Sequence, residues 1–261
     1  MNRFSALNED YDLFSTTRID SIIILNLKEN LMFRAVDLIA RDKLLDFLDC
    51  ISKTDSIKVV VIISSPTITG KNEYFEFFHQ ALKSKLDYRN IHRIHHVFCQ
   101  FILKLMALNK VVIHANCGKV IPLFLNVSLA CDYRMIADNT VFQNPYLNLG
   151  LIPIGGSAFF LSKIIGPQNA FKMLISGSDI TAYEAMKLGI VHEVIPASKL
   201  KEAVLDTAKR FTQKPLTSLV GIKKLINYTL KDFKDYMDFE HQELIRIVET
   251  TNCRSSRTNM S

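Results

Sequence analysis

Between Lys58 and Ser64 the chain reads KVVVIIS, five β-branched residues in succession with no polar residue at alternate positions. A strand with one wet face alternates apolar and polar residues, whereas an unbroken run belongs to a strand covered on both faces, as in a parallel sheet between layers of helix. Ser21 to Leu27 (SIIILNL), Val111 to Ala115 and Val191 to Ile195 are further short runs of the same kind. Leucines recur at a helical period from Ala35 to Ile51, and Ile91 to Leu108 forms a second helical stretch. This alternation implies βαβ crossovers and an α/β fold. From Ser157 the pattern is mainly helical, with Gly166, Gly177 and Gly189 where helices should end. After Pro196 only helices are expected, over Ser198 to Phe211, Leu216 to Leu230 and Phe233 to Thr250, so the chain divides into a core, 1–196, and a helical section, 197–261.

A chain of 261 residues, 48% hydrophobic, buries enough surface to fold without disulfides or metals. The net charge of +6 favours a polyanion or phosphorylated ligand weakly. No basic stretch is interleaved with aromatic residues, so nucleic-acid binding is not expected. Five scattered cysteines without a C-x-x-C pair point to a reducing compartment and away from a zinc site. His92, His95 and His96 lie on one helix, but no carboxylate or cysteine completes a ligand set, so no metal is expected. The start, MNRFSALNED, lacks the apolar core of a signal peptide, and no run reaches the ~20 apolar residues of a membrane helix. A cytoplasmic protein with no membrane contact is the expectation. Glycine is scarce: 9 are present, none before Gly70, against about 18 at average usage.

Open α/β sheets expose backbone at the C-terminal ends of parallel strands, and chemistry gathers there. Two loops qualify. Ser65 to Glu73 follows the buried strand and contains Gly70-Lys71-Asn72; Asn116 to Pro122 follows Val111 to Ala115 and enters an apolar helix, with Pro122 suited to the first helical position. Amides at such helix starts, aided by the macrodipole, can stabilise an oxyanion.

Leu129-Ala130-Cys131-Asp132, Phe142-Gln143-Asn144-Pro145 and Asn148-Leu149-Gly150-Leu151-Ile152-Pro153 with Gly155-Gly156 resemble the central signature of the crotonase, or enoyl-CoA hydratase/isomerase, superfamily. Gly166, Leu174 to Gly177, Ile180-Thr181-Ala182 and Ala185 to Val191 resemble its next stretch, and the similarity runs in order over residues 20–245. The resemblance implies a spiral of ββα turns over 1–196 with a C-terminal α-helical trimerisation section. It further implies homotrimers or hexamers, and an acyl-CoA or acyl-carrier thioester as ligand. No separate cofactor is implied, CoA being part of the substrate.

Crotonases hold the thioester carbonyl between two backbone N–H groups that stabilise an enolate. Carried over, these are the amides of Lys71, directly after Gly70, and of Leu123. The family's glycine run here reads Pro122-Leu123-Phe124, so bulky side chains enter the acyl site. The hydratases' two glutamates correspond to Asn126 and Tyr146; asparagine does not titrate and a phenol's usual pKa is near 10. The family's last helix is expected to be missing. Asp132 reads as structural, Lys223-Lys224 as a solvated face, and Tyr146 as a proton donor or an aromatic filler. Two functions from different classes remain open: an enolate-forming isomerase, lyase or decarboxylase without two-glutamate hydration, and an inactive paralogue that binds acyl-CoA or a protein partner.

Overall fold

The structure is a computed structural model that describes residues 8–64, 70–83 and 88–258. It opens with a hairpin of β1 (Phe14–Ile19) and β2 (Ile22–Leu27), which turns at Asp20 with φ of 52°. The polar sequence of β1, FSTTRI, hid that strand from hydrophobic patterning. The helix expected over Ala35 to Ile51 is α2 (Leu38–Ser52), and a short helix that the leucine pattern did not mark, α1 (Leu31–Ala35), precedes it. Asp37 separates them, its Oδ1 accepting from the N–H groups of Ile39 and Ala40 at 2.8 and 2.9 Å as an N-cap.

The chain continues through β3 (Val59–Ser64), α3 (Lys71–Leu82), α4 (Tyr88–Ala107), β4 (Val111–Asn116), β5 (Lys119–Val120), α5 (Pro122–Leu129), β6 (Tyr133–Ala137) and β7 (Val141–Phe142). After a 3-10 turn at Tyr146–Leu149 come α6 (Ser157–Ile164), α7 (Pro167–Ser176), β8 (Ile180–Thr181), α8 (Ala182–Lys187) and β9 (Glu193–Ile195). The helices α9 (Leu200–Thr212), α10 (Leu216–Asn227) and α11 (Phe233–Thr258) finish it. Six strands form one sheet in the order β1-β2-β3-β4-β6-β9, antiparallel only between β1 and β2; β5, β7 and β8 form a second, smaller sheet.

Both faces of the large sheet are covered, as the run at Lys58 requires. Val59 and Val61 join Val111, Ile113, Met135 and Ala137 beneath Leu200, Val204 and Ala208 of α9. Val60, Ile62, Val112 and Ile136 point the other way, into the main core. Lys223 is not on a solvated face. It is buried, and its Nζ donates to the carbonyls of Leu105 and Lys110 and to Asp132 Oδ2 at 3.0 Å. Asp132 also accepts from Val112 N–H at 2.7 Å, so it pins a helix to the sheet. Burial pushes the Asp132 carboxyl up while Lys223 pulls it down.

Helix α11 docks onto the main core through Phe233, Met237, Leu244 and Val248. Among them Glu240, 3% exposed, turns inward: Oε1 accepts from Gly155 N–H at 2.6 Å and Oε2 from Gly156 N–H at 3.0 Å, ahead of α6. The His95 imidazole of α4 lies 3.2 Å from the same carboxyl, and the Tyr236 hydroxyl donates to it. One turn outward, His92 Nδ1 meets His241 Nε2 at 2.9 Å. The histidines of α4 therefore do have acidic and thiol neighbours: Cys99, Asp238 and His241 line a cavity of about 280 Å³ with them, although no three such groups among the described residues could hold a metal.

The junction and the buried histidines can each be tested. Glu240→Ala strands two buried glycine amides and is expected to lower unfolding free energy by about 3 kcal/mol, with Glu240→Gln losing clearly less, as read from urea denaturation. Acid should also destabilise the fold. Burial and the neighbouring histidines push His241 down to about 4, and burial together with Arg134 pushes His114 down to about 3. The unfolded chain takes up these protons near pH 6.5 and the folded chain does not. The urea midpoint should therefore fall between pH 6.5 and pH 4, and His241→Gln should flatten the slope.

Candidate functional site

Gly70 caps α3 with φ of 43° and ψ of −120°, and Lys71 is the first helical residue. The Lys71 N–H points out of the helix start and donates 2.8 Å to Gln143 Oε1 from β7's end. A Cβ at Gly70 would fall 2.4 Å from that oxygen and 2.9 Å from Lys119 Cβ, so glycine is required there by space as well as by φ. The Lys71 ammonium lies 3.6 Å from Asp179 in an exposed pair of small energetic weight. Residues 65–69 of the first expected loop lie outside the described residues.

The second loop delivers α5. Ile121 is the cap and Pro122 the first helical residue; the N–H groups of both Phe124 and Leu125 converge on Ile121 O. Leu123 and Phe124 are buried, at 0% and 3% exposure. Phe124 packs edge-on against Phe98, and Leu123 Cδ2 lies 3.3 Å from where a Gly155 Cβ would stand.

Asn126, one turn on, is held at both ends: Nδ2 donates to Ile154 O at 2.7 Å and Oδ1 accepts from Ser157 Oγ at 2.8 Å. The Tyr146 hydroxyl donates to Leu174 O at 2.7 Å, and burial pushes the phenol up to about 12. Tyr146 and Glu240 form part of the wall of an apolar cavity of about 350 Å³ that includes Ile152, Phe171, Leu174 and Phe239. The structure thus keeps Leu123 and Asn126 together around Gly155, with Lys71 beside Gln143 and Tyr146 facing α7.

Sequence reasoning passed over several polar groups here. Gln143 lay inside the Phe142-Gln143-Asn144-Pro145 motif without being given a role. Glu240 carried no local signal, since its partners are 84 and 85 positions away. Glu73 accepts from Met32 N–H at 3.0 Å, and burial pushes its carboxyl up; its Oε2 and the Tyr74 hydroxyl are buried without partners. At the ends of β3 and β4, Ser64 Oγ lies 3.0 Å from His114 Nε2, and Asn116 Nδ2 lies 3.1 Å from His114 Nδ1. Which ring nitrogen donates depends on the imidazole tautomer. Burial holds this imidazole far below the usual histidine range, which makes it a weak base for Ser64. The trio ties two strand ends together.

The chain is 24% identical over 212 residues to the trans-2-decenoyl-[acyl-carrier-protein] isomerase of Streptococcus mutans, covering 81% of this chain and 80% of that protein. Its fold superposes on an enoyl-CoA hydratase from Bacillus halodurans with a TM-score of 0.78 at 21% identity, over 92% of this chain and 96% of that one. Pseudomonas aeruginosa DspI gives a TM-score of 0.71 at 17% identity, over 93% and 91% of the two chains. The Enoyl-CoA hydratase/isomerase family matches residues 18–259. By that match the chain belongs to the enoyl-CoA hydratase/isomerase family, the crotonases, which act on acyl thioesters.

Proposed function

We propose that the chain binds an acyl thioester, on CoA or an acyl carrier protein, and stabilises its enolate at the Lys71 and Leu123 amides. The observation that carries this reading is the Lys71 N–H, which stands at a helix start behind Gly70 and already holds a carbonyl oxygen, that of Gln143, at 2.8 Å. An amide that donates to a side-chain carbonyl in this pose has the direction needed for a thioester oxygen, and the helix dipole adds positive potential for charge developing there. The apolar cavity beside Tyr146 supports an acyl chain as the group carried.

Hydration by paired carboxylates does not fit this site. Asn126 and Tyr146 carry no carboxyl, and their hydrogen-bonding groups are engaged with Ile154, Ser157 and Leu174. The chemistry left is what enolate stabilisation promotes without paired carboxylates to activate water: decarboxylation, with CO2 leaving, or double-bond isomerisation and C–C bond change, which in addition need a base to take the C–H proton. The isomerase name of the Streptococcus mutans relative points to the first. Exposed Ile222, Leu225, Ile226 and Tyr228 on and just after α10 support self-association, to a trimer or hexamer. The second reading, a non-catalytic thioester-binding or partner-binding paralogue, is favoured by the same internal satisfaction of Asn126 and Tyr146.

Deuterium exchange separates the two. Incubated in D2O with decanoyl-CoA or decanoyl-acyl carrier protein, an enolate-forming chain incorporates deuterium at the α-carbon, detected by mass spectrometry. Lys71→Pro removes the donor at a helical position that tolerates proline, and should abolish exchange. Absence of exchange in the wild-type chain, with binding retained, removes the proton-abstracting chemistries, and absence of CO2 release from a malonyl-CoA-type thioester as well establishes the non-catalytic reading. Tyr146→Phe is expected to change exchange less than about threefold while lowering Tm by roughly 2–4 °C, since its hydroxyl serves Leu174.

A further inference from the structure

We propose that Gln143 is an internal competitor for the thioester carbonyl, so that a substrate reaches the Lys71 amide only by displacing this side chain. The inference rests on the thioester reading above and adds the residue that sets how readily the site opens.

Three observations place Gln143 in this role. Its Oε1 takes the Lys71 N–H at 2.8 Å. The same oxygen lies where a Gly70 Cβ would stand, at 2.4 Å, so the carboxamide is packed flush against the glycine that lets a ligand approach. The backbone of Gln143 is fixed independently, its N–H donating to Val120 O at 2.8 Å in the small sheet, so the side chain can rotate away without unpairing a strand. Gln143 is 3% exposed and Lys71 half-buried, so the contact lies at the edge of the interior.

A carboxamide oxygen and a thioester oxygen are both neutral sp² acceptors, and one N–H in this direction serves one of them at a time. A half-buried donor left unpaired is unfavourable, and in the ligand-free chain Gln143 satisfies it. Binding then exchanges one carbonyl for another. Such a tax raises Kd and KM by the reciprocal of the fraction of molecules in which the site is open. It leaves kcat unchanged, because the bound ground state and the transition state are taxed alike.

The test uses the full chain and trans-2-decenoyl-CoA, with CoA alone as the carbonyl-free control. Gln143→Ala and the volume-conserving Gln143→Met should each bind decenoyl-CoA roughly fivefold more tightly than wild type, the effect of one neutral hydrogen bond, with CoA affinity unchanged. If turnover occurs, KM should fall and kcat should hold. Without any ligand, hydrogen exchange at the Lys71 amide should be faster in both variants than in wild type. Equal decenoyl-CoA affinity in wild type and both variants overturns the competitor and leaves the thioester reading standing. Equal Lys71 exchange rates likewise overturn the competitor. Decenoyl-CoA bound no better than CoA by any of the three proteins overturns both.

Discussion

The carboxyl of Glu240 is the contact on which the candidate site depends. It joins the amides of Gly155 and Gly156, the imidazole of His95 and the hydroxyl of Tyr236, and so fastens α11, α4 and the start of α6 at one buried point. The start of a helix presents unpaired N–H groups and a positive dipole end, and a carboxyl placed there answers both. From Gly155 the arrangement passes to Leu123 and Asn126, whose side chains pack on it. A residue near the C-terminal end of the sequence thus sets the wall against which the expected thioester site is built.

Much of the fold was legible because it follows local rules. The unbroken run at Lys58 required a sheet covered on both faces, and α9 and the main core supply the two covers. Pro122 starts α5 as its missing N–H suits. What was not legible arises from distant partners. Strand β1 carries too few apolar residues to announce itself and is recognised through its pairing with β2. Lys223 looked like half of a surface pair, yet α10 turns it beneath β4 to meet Asp132, 91 positions earlier. The histidines of α4 seemed to lack acidic neighbours because those neighbours, Asp238 and Glu240, sit on α11.

The candidate site divides in the same way. The Gly70-Lys71 step was readable from glycine followed by a helix start, and the family resemblance gave it meaning. The state of the groups around it was not. Asn126 and Tyr146 each find their partners in the backbone of segments that only the folded chain brings near, at Ile154 and Leu174. A polar side chain that is buried must be satisfied, and one satisfied by the scaffold is less available to a substrate.

The shortage of glycine acquires a physical sense from this. A glycine run lets ligand and backbone approach closely and leaves space that must be filled by ligand or water. Leucine and phenylalanine at 123 and 124 fill it with apolar side chains that contribute to the core, at 0% and 3% exposure. The amides they carry remain, since only Pro122 lacks an N–H. A scaffold altered this way gains packing and gives up room, and the free energy of admitting a thioester then includes moving side chains aside. Gly70 could not be replaced in the same trade: its φ of 43° disfavours any side chain, and Lys119 Cβ lies 2.9 Å from where a Cβ would stand. The chain therefore keeps glycine where backbone geometry demands it.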